Sequence, residues 1–158
     1  MAIDTLTGEM KVLGADLLHD VGSSLNPALD LGQVEGAFVQ GMGWVTTEEL
    51  VFDARGRLTT HAPATYKIPV ASDIPARFNT RLHMHPNATD SIYRSKAVGE
   101  PPLMLGISVF HALKDAVASV SADGIVPRFD APATPERILM AVTAARARAA
   151  RASAKAAE

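Results

Sequence analysis

VGSSLNPALDLGQVEGAFVQGMGWVTTEEL, residues 21–50, contains the change of pattern on which the fold reading turns. Its first third, VGSSLNPALD (21–30), is rich in Gly, Ser, Asn and Pro and reads as a loop. From Leu31 to about Leu50 the apolar residues fall into helical step. Val34, Phe38 and Met42 recur at fours, with Ala37 and Val45 beside them. This helix is crowded with glycine: Gly32, Gly36, Gly41 and Gly43 each cost up to about 1 kcal/mol relative to alanine. Either the helix packs very close to another backbone, or a ligand approaches its N-terminal end. Gln33 and Gln40 are seven apart and share a face, with the small Ala37 between them. Such a face can offer amide donors and acceptors to something flat and polar, such as a phosphate or a pterin-like ring. Glycine spacing is a weak signal, so helix packing with loop-capping glutamines is the stronger reading of the pattern alone.

On the N-terminal side, residues 2–20 read as a β-hairpin, with Ile3, Leu6, Met10, Val12 and Leu17 around a Thr7-Gly8 turn. On the other side, VFDARGRLTT (51–60) is a second hairpin candidate, turning at Ala54-Arg55-Gly56. Residues 60–76 hold three prolines without a period and read as an ordered loop. In ARFNTRLHMH (76–85), Phe78, Thr80, Leu82 and Met84 alternate, which predicts a strand. A helix is predicted from Pro101-Pro102 to about Val120, with Leu103, Ile107, Phe110, Lys114 and Val117 on one face. Residues 121–133 read as a loop. Thr134-Pro135 supplies an N-cap and a first-turn proline for a last helix, packed through Ile138, Leu139 and Val142. The basic, alanine-rich tail that follows is expected to fray into solvent. The fold class expected is α+β, a fragment with β-hairpins and about three helices.

A chain of 158 residues suits one domain. Its composition, 47% hydrophobic and 20% charged, is that of a soluble globular protein. A formal charge of −2 argues against binding nucleic acid or an anionic membrane by electrostatics. The absence of cysteine excludes disulfides, thiolate metal sites, iron–sulfur ligation and a cysteine nucleophile within the chain. No apolar run approaches the roughly 18 residues of a spanning helix, and no signal-peptide core is seen, so the cytoplasm is the expected compartment. Asn87-Ala88-Thr89 matches a glycosylation sequon by chance.

The second stretch with chemical content is SKAVGEPPL, residues 95–103. Gly99 offers backbone angles other residues avoid, and Pro101 pushes Glu100 towards an extended conformation. At the start of a helix the dipole favours the ionised carboxylate while burial opposes it, a balance that suits a general base. The plainer reading is a helix-terminal glutamate bonded to a loop amide or ion-paired with Lys96. The histidines carry less: His83 and His85 could share a metal, but a third ligand is lacking, and exposed strand histidines account for them. His19-Asp20 resembles a strand-end pair, His61 and His111 stand alone, and Met84 and Met104 read as core fillers.

Four stretches, DVGSSLNPALDLGQVEGAFVQGMGWVTTEEL, APATYKIPVASDIP, SKAVGEPPL and DAPATPERI, occur in this order and together resemble the C-terminal part of the molybdenum-binding domain of the xanthine dehydrogenase family. The wider relatives are the molybdenum hydroxylases, including aldehyde oxidases. The resemblance spans roughly residues 3–142, leaving 143–158 as a basic tail. It implies that Glu100 is the catalytic base beside molybdenum and that Gln33 contacts the molybdopterin cofactor. Ala97, Val98 and Gly99 then form the backbone that brings Glu100 to the metal. The implied reaction is hydroxylation of a purine, hypoxanthine or xanthine towards urate, with an aldehyde or another N-heterocycle as the alternative substrate class. The implied electron path runs through [2Fe-2S] clusters and FAD to NAD, all in other domains or subunits. The chain begins near the last stretch of the family's molybdenum portion and lacks its other pterin-contacting loops and its substrate-orienting residues. Alone, it is expected to be inactive and cofactor-free, a piece that needs the remainder of the molybdenum domain. A non-catalytic scaffold is the reading from a different class, and the intact AVGEPPL weighs against it.

Overall fold

Asn26-Pro27 starts the first helix earlier than the apolar periodicity predicts. In the computed structural model, which describes residues 1–121 and 124–156, helix α1 spans Pro27–Thr46. Asn26 is its N-cap, accepting the Leu29 amide at 3.3 Å, and Pro27 fills a first-turn position that needs no amide. The loop expected over 21–30 therefore ends at the cap. Val34 and Phe38 are almost wholly buried, and Phe38 meets Phe78 with ring centroids 5.5 Å apart. Ala37 turns into this core rather than lying between the exposed Gln33 and Gln40.

The predicted hairpin is shorter than expected. Strand β1 (Ala2–Ile3) pairs antiparallel with β2 (Met10–Lys11), and the turn closes at Gly8 with φ of +78°. Strand β3 (Gly14–Asp20) leaves this hairpin and pairs in parallel with β4 (Arg77–His83), from Gly14 opposite Arg77 to Asp20 opposite His83. Parallel pairing between segments distant in sequence leaves no local turn signal. In β4, Phe78, Thr80 and Leu82 are half-buried as the alternation predicts. Met84 lies beyond the strand, and both it and Met104 are 56% exposed, so neither fills the core. The small hairpin at 51–60 is present as a Phe52–Leu58 bridge, with Asp53 and Arg57 joined across the turn.

Residues Pro101–Gly106 form a 3-10 helix that continues into helix α2, Ile107–Ala118. The predicted helix is thus one path in two geometries. Three residues per turn set a different phase from 3.6, and the face buried in α2 is Val109, Leu113 and Val117; of the predicted face Val117 is fully buried and Phe110 partly so. Lys114 instead lays its ammonium over the Phe110 and Phe129 rings, 5.0 and 5.8 Å from their centroids. The glycines of α1 divide into two kinds here. A Cβ on Gly41 would stand 2.2 Å from the Leu103 carbonyl oxygen, and one on Gly106 2.4 Å from the Gly41 carbonyl carbon. At Gly43 the Pro69 ring would be met at 2.5 Å. Gly41 and Gly106 make the close backbone approach that the glycine pattern suggested, while Gly43 makes room for side chains.

Helix α3 spans Pro135–Ala156 and is capped as predicted, the Thr134 hydroxyl accepting the Arg137 amide at 3.4 Å. It does not fray after Val142. Ala145 is fully buried, and Arg146 donates to the Thr5 carbonyl and hydroxyl oxygens at 3.3 and 2.7 Å, stapling the tail to the first hairpin. Of the loop expected over 121–133, Ala122 and Asp123 lie outside the described residues; 124–133 carries no helix or strand. Among the described residues no helix is long and apolar enough to cross a membrane.

Candidate active site

The Glu100 loop is held by a knot built from Asp20, Gly22 and Lys96. Asp20 ends β3, and its carboxylate accepts the Gly22 amide at 2.9 Å and the Lys96 ammonium at 2.5 Å. Gly22 adopts φ of +63° and forms a bridge with Ser95; a Cβ there would lie 2.5 Å from the Arg94 carbonyl oxygen. The Lys96 amide donates to Val21 and the Ser23 amide to Arg94, at 2.8 and 2.9 Å. The segments DVGSS and SKAVGE, separated by nearly half the chain, thus meet as one structure. The hydrogen bond from Lys96, followed by that from Gly22, holds the Asp20 carboxyl below its ordinary value of 3.8. A depressed folded pKa means that the knot is at full strength above that ordinary value and is lost as pH falls through the folded one. In Asp20→Asn, amide exchange at Gly22 and Lys96 should be faster at neutral pH. The difference from the parent chain should vanish in acid; equal exchange at neutral pH would refute the assignment.

Neither plain reading of Glu100 holds. Lys96 is engaged by Asp20, and none of the described hydrogen bonds or ion pairs involves the Glu100 side chain, which is exposed. The expected extended backbone is also corrected. Glu100 has φ −100° and ψ −41°, because it already turns into the 3-10 helix, where its carbonyl accepts the Leu103 amide at 3.0 Å. Gly99 has no positive φ, and a Cβ on it would meet no atom within 4 Å. Its open surroundings, not unusual dihedrals, distinguish it. Ala97 is exposed, while Val98 is half-buried against the core and anchors the loop.

Gln33 lies on the outer face of α1 with Leu29, Gly36, Gln40 and Trp44, all exposed. Gly32 and Gly36 have nothing within 4 Å of a built Cβ. Helix packing inside this chain therefore explains Gly41 and Gly43 but not these two. Gly32→Ala and Gly36→Ala should each stabilise the isolated chain by about 0.5–1 kcal/mol in thermal melts. A destabilised alanine variant would show that the face is already packed. Among the described clefts, the largest, about 710 Å³, lies between the β1–β2 hairpin, Met42, Thr46, Pro69 and Pro135, away from Gln33 and Glu100. The rings of His83 and His85 sit 4.4 Å apart at the exposed end of β4, and the described residues include no group of three potential metal ligands.

Residues 1–75 match the family model described as molybdopterin cofactor-binding domain. Over 139 residues the chain is 53% identical to xanthine dehydrogenase/oxidase of Gallus gallus, and over 141 residues 52% identical to that of Rattus norvegicus. The chain belongs to the molybdopterin-binding domains of the xanthine dehydrogenase family. Each of these alignments takes in 86% of this chain but only 10% or 11% of the relative. A Cu,Mo-CO dehydrogenase matches 91% of this chain with a TM-score of 0.75 at 26% identity, covering 18% of its own chain. Quinoline 2-oxidoreductase from Pseudomonas putida 86 matches 89% with a TM-score of 0.73 at 29% identity, covering 17% of its own chain. The side chains present fit a molybdopterin cofactor by their chemistry, an amide that donates and accepts and a carboxylate that accepts. The amide of Gln33 and the carboxylate of Glu100 are unspent on described contacts, and Gly32, Gly36 and Gly99 leave room where a side chain would intrude. Neither described cleft is lined by Gln33 or Glu100. Sequence reasoning missed Asp20 and Gly22 as the loop's anchor. The signal was present in Asp-Val-Gly, where an aspartate two residues before a left-handed glycine makes an Asx turn.

Proposed function

We propose that this segment supplies the general base of a xanthine dehydrogenase-type molybdenum hydroxylase acting on purines, with Glu100 as the base and Gln33 as a cofactor contact. The observation that carries the reading is a carboxylate left free and exposed while its nearest sequence cation, Lys96, is held by Asp20. Molybdopterin, when bound, supplies the two-electron redox chemistry. The chain's own residues do the positioning. Lys96, Gly22 and Asp20 fix one end of the loop, and Pro101-Pro102 fixes the other by starting the 3-10 helix packed against Gly41. A Glu100 carboxylate oxygen so held accepts the proton released as the substrate is hydroxylated, since proton transfer demands placement within hydrogen-bond reach. Gln33 donates and accepts through its amide to orient the cofactor. The remaining wall of the site, the iron–sulfur and flavin groups and the NAD site belong to polypeptide outside this chain.

The substrate class is tested by a panel on the assembled enzyme with molybdenum measured in the same preparation. Turnover of hypoxanthine and xanthine well above that of aldehydes and quinolines supports the purine reading. The reverse order favours the second reading, an aldehyde or N-heterocycle hydroxylase. The structural likeness to quinoline 2-oxidoreductase and to the aldehyde oxidoreductase of Desulfovibrio gigas, the latter with a TM-score of 0.72, keeps that reading in view.

A further inference from the structure

The turn preceding the Glu100 loop carries backbone strain. Tyr93 and Arg94 are non-glycine residues at φ of 50° and 56°, in the left-handed region. Such residues each cost on the order of 1–3 kcal/mol and persist only where their surroundings enforce them. Here the surroundings do. The Arg94 carbonyl accepts the Asn87 and Ser23 amides, both at 2.9 Å, and the Arg94 guanidinium donates to the Asn87 carbonyl at 3.0 Å. The Ser91 hydroxyl donates to the Ser95 carbonyl and the Ser95 hydroxyl to the Ile92 carbonyl, both at 2.8 Å. This bracing holds Ile92 and Tyr93 in solvent, each 78% exposed. Leaving such side chains in water forgoes roughly 1.5–3 kcal/mol apiece.

We propose that Ile92 and Tyr93 are the anchor by which this segment docks onto the remaining polypeptide of the same enzyme, setting the Glu100 loop against the opposite wall of the site. The proposal rests on the functional reading above and deepens it by naming the contact. The occupant follows from length and position. The segment spans about a tenth of the curated relatives it matches, so most of the surrounding protein lies outside it. The same turn is hydrogen-bonded to Ser23 and leads through Ser95 and Lys96 into the base-bearing loop, so force applied at Tyr93 is delivered there. The complementary surface is an apolar pocket with an acceptor for the phenol, the environment in which tyrosine anchors contribute most.

The test compares tyrosine nitration by tetranitromethane in the free chain and in the assembled enzyme recovered through a C-terminal tag, with peptide mapping. The other tyrosine of this chain, Tyr66, is the internal reference. Its hydroxyl donates to Glu48 at 2.6 Å, and that bond and burial raise its pKa, so it should react slowly in both samples. Tyr93 should be nitrated readily in the free chain and lose that reactivity in the assembly. Tyr93→Gly should raise the melting temperature of the free chain by relieving the left-handed strain, yet weaken assembly by about thirtyfold or more. Undiminished nitration of Tyr93 in a molybdenum-containing assembly overturns the proposal while leaving the functional reading intact. Protection in concentrated free chain overturns it in favour of a second copy as occupant. Recovery of the chain with no molybdenum-bearing remainder overturns the functional reading and the proposal with it.

Discussion

Glu100→Gln in the assembled enzyme should lower turnover by about 10²–10⁴-fold, the usual contribution of a positioned general base, with molybdenum content unchanged. The amide keeps the size of the side chain and removes its capacity to take a proton. Because the described contacts tie the loop through Asp20 and Lys96 and not through the Glu100 side chain, the free variant chain should melt within about 0.5 kcal/mol of the parent. Turnover, metal content and melting measured on the same preparations separate the possibilities. Near-normal turnover with molybdenum retained would remove Glu100 from the chemistry. Loss of both turnover and metal would recast it as a residue needed for cofactor retention.

The largest effect on stability is expected at the crossing of α1 with the 3-10 helix. Gly41→Ala and Gly106→Ala would each drive a methyl group into backbone, at 2.2 and 2.4 Å. Neither Leu103 nor Gly41 can move its main chain without moving its own helix. Each variant should lose about 3 kcal/mol or more. At the scaling for a chain of this size, that is a fall in melting temperature of about 10 °C. Helix propensity alone predicts the opposite sign, a gain of about 1 kcal/mol for alanine over glycine. One helix therefore holds two kinds of glycine: alanine at 32 or 36 should stabilise, and alanine at 41 should destabilise. A Gly41→Ala chain that melts at or above the parent would refute the packing account. Loss at this crossing should reach the site as well, since the strained contact begins one residue beyond Pro102 in the helix that Glu100 opens.

The helices were legible because their signals are local. Val34, Phe38 and Met42 announce α1 by spacing, and Thr134-Pro135 announces α3 by capping chemistry. The start of α1 is legible too, in Asn26-Pro27, although the same residue types also mark loops. The buried face of α2 departs from the predicted one, Val117 apart, for a different reason. A helix that opens in 3-10 geometry does not carry a 3.6-residue phase back to its first turn. The parallel pairing of β3 with β4 left no trace in either strand, since each alone alternates as well with an antiparallel neighbour. At the site, the residue types of Gln33 and Glu100 and the motifs around them single them out as candidates. Their surroundings are not legible there, and proximity in sequence offers Lys96 to Glu100 where the fold gives it to Asp20.

By itself, the sequence determined which segments are helical and the family to which they belong. Periodicity, caps and long motifs are properties of neighbouring residues. Tertiary structure alone decided that Lys96 serves Asp20 and leaves Glu100 free, that Gly41 and Gly106 touch while Gly32 and Gly36 face open space, and that Tyr93 is held outward against its backbone preference. Each of these is a contact, or the lack of one, between segments far apart in the chain. Such contacts are set by the packing of the whole core and by where the chain's surface is left uncovered, which no local window of residues encodes.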